Sequence, residues 1–143
     1  MVPEDVAGRM TYLLDTNALV WFETDDRRLG RIAARTISDA ASAGLVSICP
    51  ISFWEVECAI ARRRLTLSEP ITLWRKRILA SGLIERPITG EDTIAMAQLP
   101  DFHADPADRL ITAVAINAGF TLITSDRKIL DWTGTLPRMD LAV

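Results

Sequence analysis

Residues 103–126 read HADPADRLITAVAINAGFTLITSD, and this stretch decides the fold. Asp105 suits an N-cap, Pro106 the first helical position, and Asp108 the first turn, where a carboxylate is favoured by the helix N-terminus. The helix runs to Gly119, a natural stop. FTLIT (120–124) then reads as a short strand, and SDRKIL (125–130) as a short helical turn. A helix feeding directly into an apolar strand is the repeating unit of a parallel, two-sided sheet.

The same alternation extends outward. TYLLD (11–15) is a strand ending in an acid, and residues 17–22 begin a helix. Apolar residues at helical spacing predict a helix over 29–43, with Gly44 beyond its end. LVSIC (45–49) is a strand, and helices follow over 51–63 and 70–81. Residues 83–88 are extended, 90–98 form a helix, and 136–139 form a last strand. The expectation is an α/β domain over 11–143, with a small parallel sheet flanked by helices. Residues 1–10 read as a disordered lead, with Met10 an alternative start.

Composition narrows the function. The first ten residues lack a secretory pattern, and no apolar run reaches the ~18 residues of a membrane span. Cys49 and Cys58 are read as buried thiols rather than a disulfide framework, which suits a cytoplasmic protein. No P-loop or dinucleotide fingerprint occurs, and one His without a Cys pair argues against zinc. Nineteen acids against 16 Lys and Arg give a net charge of −3. A protein that binds nucleic acid by charge alone is basic. Either this chain does not bind it, or its acids are gathered at a metal site.

Asp15 and Asp126 each follow a strand, where α/β folds bind ligands, although either could be only a cap or turn residue. In the helix FWEVECAIA, Glu55 shares a face with Ile51, Cys58 and Ala59, and Glu57 with Phe53, Ile60 and Ala61. A carboxylate among apolar neighbours needs a partner or a metal, but periodicity does not choose between these two. Asp105 reads chiefly as a cap. Asp108 can point at a neighbouring site, with small Thr112 and Ala115 above it on the helix. Arg109 is a candidate for pairing an acid or holding the helix end. Converging carboxylates repel unless a cation lies between them, and hard ions such as Mg²⁺ or Mn²⁺ prefer oxygen ligands.

LLDTNALVW (13–21), ISFWEVECAI (51–60), HADPADRLITAVAINAG (103–119) and LITSDRKIL (122–130) together resemble the PIN-domain family, and more closely the VapC-type toxins of bacterial toxin–antitoxin pairs. Each motif is weak alone; four in order and spacing are specific. The resemblance implies a PIN-like three-layer fold and divalent-metal-dependent RNA hydrolysis by an acidic quartet of Asp15, Glu55, Asp108 and Asp126, which takes Glu55 over Glu57. It implies supporting roles for Asn17, Asp105, Thr124 and Ser125, with Asn17 holding the first loop. Relatives often carry a small residue at Glu57 and a Gly in the turn where this chain has Arg63 and Arg64.

The implied reaction is in-line attack of water on phosphorus, leaving a 5′-phosphate. Basic residues around an acidic centre would draw RNA in: Arg62, Arg63, Arg64, Arg75, Arg77, Arg127 and Lys128, with His103 as a further contact. Trp21, Phe22, Trp54, Trp74 and Trp132 are read as core or interface residues. The implied partners are an antitoxin, a second copy of the chain and RNA, with DNA met only through the antitoxin. The antitoxin groove is expected between the helices at 29–43 and 51–63. The competing readings are a metal-dependent phosphatase or DNA nuclease on a related fold, or a catalytically silent binding module.

Overall fold

A computed structural model describes residues 8–143. Of the expected lead, residues 1–7 lie outside the described residues, whereas Met10 already forms a β-bridge. In chain order the elements are β1 (Tyr12–Leu14), α1 (Thr16–Glu23), α2 (Arg31–Ser42), β2 (Val46–Ile48), α3 (Ile51–Ala61), α4 (Ile71–Ala80), β3 (Ile84–Glu85), α5 (Gly90–Ala97), α6 (Pro106–Ala118), β4 (Thr121–Thr124), α7 (Arg127–Leu130) and β5 (Arg138–Asp140).

The strands form one sheet in the order β3-β2-β1-β4-β5, and every pairing is parallel. Side chains alternate across it, as strand geometry requires. Leu13 and Leu122 are neighbours in register and face α6 and α7, in a core with Ile111, Val114, Ile129 and Trp132. Leu14, Ile48 and Ile123 point the other way, into a core with α1, α2 and α4 residues such as Leu19, Ile37 and Trp74. This is the three-layer α/β arrangement expected from the alternating elements.

Two glycines set boundaries. Gly119 ends α6 in the left-handed region at φ 74°, open to glycine without strain. Gly30 caps α2 where a Cβ would stand 2.0 Å from the Val143 carbonyl oxygen; its N–H donates to the Leu141 carbonyl. That close approach of the C-terminal segment explains why α2 starts at Arg31 and not at Leu29. Likewise α3 ends at Ala61, because Arg63 turns into the left-handed region at φ 57°. Arg62, Arg63 and Arg64 therefore lie on a turn, not on the helix.

The chain builds β1, β2 and β3 outward in one direction and then returns to lay β4 and β5 on the other side of β1. The carboxyl ends of β1 and β4 thus flank the point where strand order reverses. In open α/β sheets that crevice is where ligands bind.

Candidate active site

Asp15 directly follows β1 and caps α1. Its Oδ1 accepts from the Ala18 N–H at 2.8 Å and its Oδ2 from the Thr124 hydroxyl. It is buried, at 6% exposure. Thr124, the last residue of β4, also accepts from the Asp126 N–H at 3.0 Å. One buried hydroxyl thereby ties the two strand-end acids together. Asp126 caps α7 by accepting from the Lys128 N–H at 2.8 Å. For both acids the capping role and the position at the strand end coexist.

Glu55 enters from α3. Its Oε1 accepts from the Thr16 hydroxyl, which also lies 2.9 Å from the Ser52 hydroxyl. Glu57 is exposed and lines a separate cleft with Arg63 and Leu65, whereas Glu55 meets Asp105 and Asp108. Asp108 enters from the first turn of α6, held by His103 Nε2 at 2.7 Å. Asp105 caps the same helix, accepting from the Asp108 N–H at 2.9 Å.

Five of these groups converge in two overlapping sets, and Asp15 belongs to neither. Glu55, Asp105 and Asp108 each place a carboxylate oxygen within 4.8 Å of the others; so do the ligand atoms of His103, Asp108 and Asp126. Asp108 belongs to both. No Lys or Arg ion pair with Asp15, Glu55, Asp108 or Asp126 occurs among the described residues.

The electrostatics follow from that geometry. Burial pushes Asp15 up to about 7, against the lowering effect of its two hydrogen bonds, and Asp108 and Glu55 raise it further. Burial also raises Glu55 and Asp108; nearby carboxylates add to both shifts, while Thr16 and His103 oppose them. Asp92 is the instructive contrast. It is also buried, yet hydrogen bonds from Asn117 and from Thr89 outweigh that burial and lower its pKa. Asp92 completes a capping box, whereas the strand-end cluster has an unmet demand for positive charge. Its donors are carboxylate oxygens with one imidazole, a set that fits Mg²⁺ or Mn²⁺.

Several expectations change. Arg109 pairs with no acid among the described residues; it donates to the carbonyls of His103, Met96 and Phe102 at 2.8, 2.9 and 2.6 Å. It clasps the segment before α6 and so sets His103 against Asp108. Asn17 holds no loop: it is exposed, makes no side-chain hydrogen bond among the described residues, and lines a cleft beside Glu55. The Ser125 hydroxyl likewise has no hydrogen bond among the described residues. Arg75 pairs with Glu85, Arg77 with Glu69, and Arg127 with Asp131 and Asp140. Arg62, Arg63, Arg64 and Lys128 are exposed and have no acidic partner among the described residues.

Cys49 is buried, and burial raises its thiol to about 11, but Cys58 is only partly buried. Trp21, Trp74 and Trp132 belong to the core, whereas Trp54 is 61% exposed. The clefts flanking α3 are lined by α1, the 62–65 turn and the start of α6, not by α2. Thr16 and Ser52 were invisible in the sequence, because Thr16 meets Glu55 across 39 residues.

Comparison with known proteins agrees with this geometry. Ribonuclease VapC22 of Mycobacterium tuberculosis is 32% identical over 120 residues, covering 83% of this chain and 89% of that protein. The structure of VapBC2 from Rickettsia felis bound to a promoter DNA fragment superposes with a TM-score of 0.68 at 18% identity, covering 92% of this chain and 98% of that one. DNA-bound VapBC from Salmonella typhimurium gives 0.65 at 18% identity, with the same coverage. The PIN domain model matches residues 12–133, and the chain belongs to the PIN-domain family.

Proposed function

We propose that this chain is the toxin of a type II toxin–antitoxin pair, a divalent-metal-dependent endoribonuclease that hydrolyses RNA through Asp15, Glu55, Asp108 and Asp126. The observation that carries this reading is the convergence of Glu55, Asp108 and Asp126 near the buried Asp15, with burial and neighbouring carboxylates raising Asp15, Glu55 and Asp108 and no Lys or Arg partner for any of the four among the described residues. PIN membership and the likeness to a VapC ribonuclease support the nuclease activity. The likeness to VapBC complexes supports an antitoxin partner.

When bound, Mg²⁺ or Mn²⁺ supplies water activation and stabilises negative charge on the phosphate. The protein's own part is placement. Thr124 donates to the Asp15 carboxylate and accepts from the Asp126 N–H, Thr16 orients Glu55, and His103 orients Asp108. The contacts to Asp15, Glu55 and Asp108 each use part of a carboxylate and leave lone pairs available to a cation. The exposed Arg62, Arg63, Arg64 and Lys128 attract the RNA backbone. Water adds to the phosphorus as the 3′ oxygen departs and takes up a proton, so the products carry 5′-phosphate and 3′-hydroxyl ends. The protein acts in the cytoplasm as a homodimer, and DNA is contacted only through the antitoxin.

The test is cleavage of total RNA by antitoxin-free protein in Mg²⁺, Mn²⁺ or EDTA, beside the Asp15→Asn variant. Discrete fragments that require metal and disappear in the variant are expected. Fragments that persist in EDTA, or an intact RNA pool with folded, metal-supplied protein, would overturn the reading.

A further inference from the structure

Between α3 and the start of α6 lies a cleft of about 440 Å³, the size of a small-ligand site. Glu55 and Asp105 form its acidic end. Arg62 and Arg64 line the cleft as well, and Trp54 is its aromatic wall. Trp54 stands one residue before Glu55, with 61% of its surface exposed, although it is among the largest apolar side chains in the chain. The two arginines have no acidic partner among the described residues. Glu55 and Arg64 also line a second cleft on the α1 side, so the groove continues past the carboxylates.

One cleft thus brings together acidic side chains, an exposed indole and two guanidiniums with no acidic partner among the described residues. These groups suit the parts of a single strand: a phosphate near the acids through a bound cation, a base on the ring, and a further phosphate on the arginines. Base stacking on an exposed aromatic and backbone contact by arginine are the two general devices of single-strand binding.

We infer that Trp54 is a stacking platform for the base beside the scissile phosphate, and that Arg62 and Arg64 hold the adjoining phosphate of single-stranded RNA. This rests on the ribonuclease reading and adds to it a place for the substrate. The apolar hollow on the other side of Trp54, lined by Ile51, Met96 and Leu110, makes a protein interface the competing use of the same ring.

The test has two arms. In the first, wild type, Trp54→Ala and Trp54→Phe are compared in Ca²⁺ for anisotropy of a labelled 2′-O-methyl oligoribonucleotide, and in Mn²⁺ for cleavage of total RNA. Trp54→Ala is expected to weaken binding about ten- to hundred-fold, and Trp54→Phe to recover most of the loss. Arg62→Ala and Arg64→Ala are each expected to reduce the slope of log affinity against log salt by about 0.7. In the second arm, light scattering reads the oligomeric state of each variant.

Wild type that cleaves while Trp54→Ala binds and cleaves equally well would overturn this inference and leave the ribonuclease reading intact. So would a Trp54→Ala variant that changes only its oligomeric state. Wild type that neither binds nor cleaves would overturn the reading itself.

Discussion

Asp15 accepts from a backbone N–H and from a hydroxyl, and no described lysine or arginine pairs with it. Its carboxyl titrates at about 7 in the cation-free fold, against an ordinary 3.8. The native state therefore holds this proton more tightly than the unfolded chain does. Its contribution is fully present below about pH 4 and is lost as pH rises through about 7. In EDTA, Asp15→Asn should be more stable than wild type by a margin that grows between pH 5 and 7 and then levels off. The ceiling is of the order of 4 kcal/mol, since each tenfold change in proton affinity is worth about 1.4 kcal/mol. Thermal unfolding across that pH range measures it. A margin independent of pH would mean that Asp15 is not held in an unfavourable charge environment. Function and fold oppose each other at this residue, as is common where a site is prepared for an absent positive charge.

At the scale of elements, the turn after α3 stores strain. Arg63 adopts φ 57°, a conformation in which the Cβ of an L-residue crowds the following carbonyl. Asp25 and Asp101 also have positive φ, but Asp tolerates that region better. Arg63→Gly should therefore raise stability by about 1 kcal/mol, or ~2–4 °C in melting temperature. Unfolding by heat or urea would show it, and an unchanged or lower midpoint would place no strain there. The position suits glycine, and this chain places a cation there.

The helices and strands themselves were legible because their signals are local: Asp105, Pro106 and Gly119 bound α6, and short apolar runs mark β1 and β4. The four acids were legible only through the order and spacing of motifs, since Asp15 and Asp126 read equally well as caps. Of the hydroxyls that orient them, Thr124 was legible only through the motif resemblance, and Thr16 was not legible. Thr16 reaches Glu55, and Thr124 reaches Asp15, across 39 and 109 residues, and no local pattern distinguishes such threonines from ordinary ones. The clasp of Arg109 on three carbonyls was hidden for the same reason: it depends on how the 96–103 segment folds back over α6. Trp54 could not be told from a core tryptophan, because burial is decided by tertiary packing.

For the whole molecule, the net charge of −3 stops being an objection to nucleic-acid binding. Acids are concentrated at the strand ends, where a cation would reverse their effect, while Arg62, Arg63, Arg64 and Lys128 remain unpaired among the described residues at the surface. No helix among them is long and apolar enough to cross a membrane. The architecture gives Asp108 a special place, as the one carboxylate common to both sets of converging ligands. Mn²⁺ titration of wild type and Asp108→Asn, followed by calorimetry at pH 8, therefore tests the account most directly. Saturable Mn²⁺ binding by wild type, weakened at least tenfold in the variant while its fold is retained, is the predicted result. Equal Mn²⁺ affinity in the two proteins would contradict the assignment of this cluster as the metal centre.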